Sequence, residues 1–190
     1  MEIPENVLVW KFGGKSGNLK SDNNYLNNQG YNLLCKKNNQ YLIWDTGQLS
    51  INLAYSKQPQ NKYHFHLPDN KEREIVTGEP LAMAIGMGEA FLRYGKQRFG
   101  INLKWVSEPL DEWRIFDASG EMGRPISSDS YYALINVKVD PKPDFLVYLD
   151  KHMPKVINLG WTSSPTWIES YEGVLKTAAD YGKLAAALLK

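Results

Sequence analysis

The sequence predicts an all-β fold built from three copies of one four-stranded unit. Three observations carry that reading. First, the order of residue types in Tyr41-Leu42-Ile43-Trp44 followed by Ile51-Asn52-Leu53-Ala54-Tyr55 occurs twice more. It returns as Phe91-Leu92-Arg93-Tyr94 with Ile101-Asn102-Leu103-Lys104-Trp105, and as Phe145-Leu146-Val147-Tyr148 with Ile157-Asn158-Leu159-Gly160-Trp161. Second, the copies recur about every fifty residues, the spacing of a repeat architecture, and the third carries a few extra residues around 150–154. Third, the segments alternate: Ile101, Leu103 and Trp105 share one side of an extended chain, Asn102 and Lys104 the other.

Ahead of the copies, Val7-Leu8-Val9-Trp10-Lys11-Phe12 is rich in β-branched and aromatic residues and reads as an additional N-terminal strand. It runs into the breaker Gly13-Gly14-Lys15-Ser16-Gly17. A phosphate-binding loop ends in Gly-Lys-Ser too, but it requires a glycine where Val9 stands and a helix afterwards. The turn-forming stretch 18–24 follows instead, so the segment is read as a strand and a loop.

Each copy then supplies about four extended segments. An apolar stretch opens it (Tyr31 to Cys35, Leu81 to Met87, Tyr131 to Val139). The aromatic-Leu strand and the Ile-Asn-Leu strand follow. The last segment is Tyr63-His64-Phe65, then Trp113-Arg114-Ile115, then Trp167-Ile168. Turn residues separate them, among them Asn38-Asn39, Asp45-Thr46-Gly47 and Asp140-Pro141-Lys142-Pro143-Asp144. The repeats are placed at 29–78, 79–128 and 129–170. From Ser170 onward, Val174, Ala178, Tyr181, Ala185 and Leu188 recur at three- and four-residue steps. An amphipathic helix is predicted over 171–189, with Ser170 as its N-cap.

The bulk numbers fit one domain. At 190 residues the chain can bury a sizeable core without staples. A net charge of +1, from 22 basic and 21 acidic residues, argues against an electrostatic nucleic-acid partner. The one cysteine, Cys35, has no internal disulfide partner and sits in an apolar run, which reads as a small buried hydrophobe. The N-terminus lacks the basic and apolar regions of a signal peptide, and no apolar run approaches a membrane span. A cytoplasmic setting and no membrane partner are the expectations.

The repeated elements resemble the β-trefoil superfamily. The resemblance lies in the aromatic-Leu openings Tyr41-Leu42, Phe91-Leu92 and Phe145-Leu146, the apolar third strand, and the fourth-strand pattern of Tyr63-His64-Phe65 and Trp113-Arg114-Ile115. It covers about residues 30–170. It implies twelve strands, six forming a barrel and three hairpins capping it. Ricin-type trefoil lectins carry Gln-x-Trp in each unit. The matching positions here are Asn61-x-Tyr63, Asp111-x-Trp113 and Pro165-x-Trp167, which keep the aromatic and lose the glutamine.

The chemistry carried by the side chains points to a binding module rather than an enzyme. No nucleophile elbow occurs, and the loop carboxylates have no spacing that pairs them as acid and base. His64 and His66 alternate with Tyr63 and Phe65, so both are expected on the outer face as surface histidines. Their spacing could chelate a metal, but further ligands are required, and no metal or cofactor is expected. The expected ligand is carbohydrate. Asn52, Asn102 and Asn158, which recur on the outward side of all three strands, are candidate contacts, with Asp111 and Trp113. Each Asn also has a structural reading, bonding an adjoining loop's backbone. The alternative is a protein-binding trefoil, such as a protease inhibitor or cytoskeletal-type adaptor, acting through loop 150–154 or 140–144.

Overall fold

A computed structural model describes residues 2–23, 29–86 and 90–171 of the chain. It holds twelve strands: β1 (Trp10–Gly13), β2 (Asn32–Cys35), β3 (Gln40–Trp44), β4 (Leu53–Ser56), β5 (Tyr63–His66), β6 (Ala82–Ile85), β7 (Ala90–Tyr94), β8 (Leu103–Val106), β9 (Trp113–Phe116), β10 (Ala133–Asn136), β11 (Asp144–Tyr148) and β12 (Leu159–Thr162). They form three four-stranded antiparallel sheets in sequence order, β1 to β4, β5 to β8 and β9 to β12. The architecture is a β-trefoil, as the repeats predict.

Single pairs of residues join the sheets into a closed ring. Tyr31 and Tyr63 exchange backbone hydrogen bonds at 2.8 and 2.9 Å, Leu81 and Trp113 at 3.1 Å each, and Tyr132 and Trp10 at 2.7 and 3.1 Å. Those contacts tie the start of β2 to β5, of β6 to β9 and of β10 to β1. The barrel therefore runs β1-β2-β5-β6-β9-β10, and the hairpins β3–β4, β7–β8 and β11–β12 cap one end. Ring closure pairs the outer edge of each of the six barrel strands and leaves only the short hairpin strands β4, β8 and β12 as edges.

This closure corrects two expectations. The N-terminal strand is not an addition to the three units. It fills the place where Trp167-Ile168 was expected as the last strand of the third unit. Trp167 and Ile168 instead lie in a C-terminal helix, α1, which begins at 165 and is described through Tyr171. The backbone N–H of Ile168 donates to the Ser164 carbonyl at 3.0 Å. Ser164 and Pro165 are thus the start signal, because proline suits the first helical turn, where its missing N–H has no partner to lose. Ser170 is not the N-cap: its hydroxyl donates to the Thr166 carbonyl at 3.1 Å from within the helix. The remainder of the predicted 171–189 helix lies outside the described residues. No helix among those described is long and apolar enough to cross a membrane.

Packing explains why α1 forms where a strand was expected. Trp167 meets Phe116 with ring centres 5.0 Å apart and Phe145 at 5.3 Å, and Tyr171 meets Phe116 at 5.1 Å. Helical spacing puts Trp167 and Tyr171 on one face, stacked 4.9 Å apart over the outside of the third sheet. The barrel interior takes the alternate residues of its strands: Trp10 and Phe12, Tyr63 and Phe65, Trp113 and Ile115 are all buried. The hairpins add Leu42, Leu92 and Leu146, and Ile51/Leu53, Ile101/Leu103 and Ile157/Leu159, the core layers that the repeats predict.

At the other end of the barrel three long loops follow β1, β5 and β9. Each sends one aliphatic side chain inward: Leu19, Ile75 and Ile126, all buried. Their backbones interlock, with Leu19 N–H to the Ile126 carbonyl at 2.7 Å and Ile75 N–H to the Leu19 carbonyl at 2.9 Å. The loops thereby plug the barrel and form one shared platform.

Candidate functional site

That platform carries a cleft of about 760 Å³ between the loop after β1 and the loop after β5. Lys15, Asn18, Asp22, Tyr31, Glu72, Arg73 and Glu74 are among its walls. Ser21 stitches the two loops together. Its hydroxyl donates to the Lys71 carbonyl at 2.7 Å and accepts from the Arg73 N–H at 2.9 Å. Its own N–H donates to the Arg73 carbonyl at 2.8 Å.

Two side chains set the floor. The Tyr31 hydroxyl accepts from the Lys20 N–H at 3.0 Å. Burial pushes that hydroxyl's pKa up, the Lys20 bond working against it. The Lys15 ammonium lies over the Tyr31 ring, 4.9 Å from its centre, within cation–π range. Asp22 is held from behind by His64, whose Nδ1 lies 3.0 Å from the carboxylate. His64 is therefore buried rather than a surface residue. It does face out of the barrel, but the loop carrying Asp22 covers it. Gly30 makes this possible, since a Cβ there would sit 2.4 Å from the Tyr63 carbonyl oxygen and 2.8 Å from His64 Nε2.

Charge in the cleft is balanced. Lys15, Lys20 and Arg73 stand against Asp22, Glu72 and Glu74. Arg73 is further fixed by Glu79 at 2.8 Å and Asp69 at 3.0 Å. Its hydrogen bond to Glu79 holds the guanidinium even more firmly protonated than usual.

The residues predicted from the sequence lie elsewhere. Asn102 Oδ1 accepts from the Gln97 N–H at 2.9 Å, and Asn158 Oδ1 from the Lys151 N–H at 2.9 Å. Both amides close hairpin loops at the end of the barrel opposite the cleft. Asn52 occupies the same register, with its carbonyl accepting from Asp45 N–H at 3.2 Å. Trp113 presents no surface to a ligand: it is fully buried and its indole N–H donates to the Leu92 carbonyl at 2.7 Å. The Tyr63 and Trp167 aromatics of the other two Asx/Pro-x-aromatic positions are likewise buried.

Asp111 lines a smaller cleft of about 390 Å³ with Arg93, Tyr94, Leu110, Glu112 and Lys138. Burial pushes its carboxyl pKa up, while His66 and Arg114 pull the other way. Beside it, Glu112 is buried and accepts from the Tyr94 N–H and from the Asn136 amide. Among the described residues no group of three His, Cys, Asp or Glu side chains is placed to hold a metal. Loop 150–154 is a tight turn, with His152 (φ 49°) and Lys155 just beyond it (φ 61°) both in the left-handed region.

Compared with known proteins, the chain matches no family model, no curated sequence and no solved structure. Any functional reading therefore rests on the site's own chemistry. The cleft leaves little mark in the sequence because its walls come from two loops of different composition, one of them opening on the glycine-rich breaker 13–17. The available signal was the repeated apolar-x-Ser/Thr pattern in those loops, Leu19-Lys20-Ser21 and Ile75-Val76-Thr77.

Proposed function

We propose that the chain is a non-catalytic binding module that takes a carbohydrate in the cleft around Tyr31. The observation that carries this reading is the balanced polar lining. Each sugar hydroxyl both donates and accepts, so its site needs donors and acceptors interleaved rather than one sign of charge. Lys15, Lys20 and Arg73 supply donors; Asp22, Glu72 and Glu74 supply acceptors; Asn18 supplies both. The Ser21 stitching and the Leu19-Ile75-Ile126 plug hold the two walls before a ligand arrives, which lowers the ordering entropy that binding must overcome.

A glycan array on the intact chain, followed by calorimetry on the hits, tests the proposal. Asn18→Ala combined with Glu72→Ala removes one amide and one exposed carboxylate from opposite walls. The expected result is at least about a tenfold loss of affinity for the best saccharide, with an unchanged melting temperature. A flat array, or a saccharide bound equally by this variant, overturns it.

A further inference from the structure

The capping hairpins present a second surface, at the end of the barrel away from the cleft. Each hairpin loop carries an exposed large apolar side chain eight residues after its aromatic-Leu opening, and the longer third loop carries Leu149 (41% exposed) as well. Leu49 is 49% exposed, Phe99 62% and Met153 61%. Large apolar side chains left this open are uncommon in clusters and mark interaction sites when they gather.

The tips do gather. The Leu49 N–H donates to the Lys155 carbonyl at 2.8 Å, joining the first tip to the third. A Cβ on Gly100 would fall 2.3 Å from the Ser50 hydroxyl oxygen, so the second tip lies directly against the first. Three protrusions related by a pseudo-threefold axis define a plane across that axis. Cations flank them. The Arg98 guanidinium lies 5.4 Å from the Phe99 ring centre, and Lys155 is exposed at the third tip. Lys96 is matched by Asp140 at 2.8 Å, and the His152 ring lies 3.3 Å from Asp150. Among the described residues no ion pair engages Arg98 or Lys155, nor the exposed Asp45 at the foot of the first hairpin loop, so the free cations sit on the second and third tips.

We propose that this face docks on an anionic lipid surface. Leu49, Phe99 and Met153 enter the interfacial layer, and Arg98 and Lys155 meet the negatively charged headgroups. Burial of apolar side chains together with basic residues at the rim is the combination that binds peripheral proteins to such membranes. A protein partner would have to supply three matched recesses for three protruding tips; a bilayer interface deforms around them. The sequence expectation of no membrane partner came from the lack of an apolar run. Three single side chains on separate hairpins leave no such mark.

Co-sedimentation of the full chain with vesicles tests this. Binding is expected to phosphatidylcholine vesicles containing phosphatidylserine, to weaken as salt rises, and to be absent with phosphatidylcholine alone. Leu49→Ser, Phe99→Ser and Met153→Ser together should reduce the bound fraction at least about tenfold, as should Arg98→Glu with Lys155→Glu. Phe99→Trp should show a blue-shifted emission on addition of the anionic vesicles. No binding to either vesicle, no blue shift, or equal binding by the triple variant overturns the proposal. So does a concentration-dependent dimer that the triple variant abolishes, which would assign the face to a second copy of the chain.

Discussion

The indole N–H of Trp10 donates to the carbonyl oxygen of Leu146 at 2.7 Å, across 136 residues of chain. Trp113 does the same to Leu92, also at 2.7 Å. In each case the aromatic opens a barrel strand and the leucine lies on the hairpin strand of the same threefold unit. The bond from Trp10 therefore marks β1 as the missing member of the third unit. Without it, β2 and β10 would both lose a neighbour and the barrel would stand open. Trp10→Ala should lower unfolding free energy by about 3–5 kcal/mol, the range for truncating a buried aromatic. Denaturant melts followed by tryptophan emission would measure it, and a loss below about 1 kcal/mol would contradict the closing role.

Tyr63 holds the corresponding place in the first unit, and there the bond is missing. Its hydroxyl is buried without a hydrogen-bond partner, and burial drives its pKa far above the usual tyrosine range. Leaving a buried hydroxyl unpaired costs about 1–3 kcal/mol. Tyr63→Phe should accordingly be neutral or stabilising, whereas Trp113→Phe should destabilise by about 1–3 kcal/mol through the orphaned Leu92 carbonyl and the lost volume. Equal losses for the two variants in paired denaturant melts would refute the asymmetry.

The same residues show how far the sequence is legible. Leu42, Leu92 and Leu146 could be placed in the core because their neighbours repeat in type and spacing, and repetition survives without knowledge of contacts. Trp167-Ile168 could not be placed, since two adjacent apolar residues carry no period. The nearby Ser164-Pro165 was the stronger signal. The role of β1 was hidden for a different reason. Its closing partner, Tyr132, lies 122 residues further along the sequence, and nothing local in Trp10-Lys11-Phe12 says which edge it completes. The Asn residues of the three copies were visible as a pattern, but whether an outward amide serves a loop or a ligand depends on the loop's path. The cleft was least legible, because Lys15 and Glu72 come to line one cleft only after the plug has folded two irregular loops together.

Asp111 gives a pH prediction whose sign follows from its surroundings. Burial raises its carboxyl pKa in the folded protein, with His66 and Arg114 opposing, and its Oδ1 has no hydrogen-bond partner. A raised folded pKa means that protonation favours the folded state. The associated stability is present below the unfolded value, about 3.9, and is lost as pH rises through the folded one. Asp111→Asn removes the ionisation. The variant should melt higher than the parent at pH 7, and the gain should shrink to nothing as pH falls toward about 4. Melting curves across that range would show it; a gain that grows with acidification would reverse the assignment.

The plug at the cleft end tests whether the platform and the barrel are one unit. Ile75 is buried, and its N–H bonds the Leu19 carbonyl at 2.9 Å. Ile75→Ala should cost about 2–5 kcal/mol if the plug packs like the rest of the core. Hydrogen exchange distinguishes the mechanisms: the Ile75 and Leu19 amides of the parent should exchange only with global unfolding. Fast local exchange at these amides would instead make the plug a loosely attached cover.

Asn102 separates a loop-closing amide from a ligand contact. Its Oδ1 accepts the Gln97 N–H, and the Gln97 side chain returns a bond from its own amide to the Leu103 carbonyl at 2.9 Å. The hairpin tip bearing Phe99 is thus held at both ends by this pair. Asn102→Ala should destabilise by about 1 kcal/mol, the net worth of one partly buried hydrogen bond, and loosen residues 96–101. Because the cleft lies at the other end of the barrel, saccharide affinity should not change. Attachment to anionic vesicles should weaken, since a tip free to move no longer shares a plane with Leu49 and Met153. Calorimetric titration and co-sedimentation on the same variant read the two effects separately, and a loss of saccharide affinity with vesicle binding intact would return Asn102 to the ligand site.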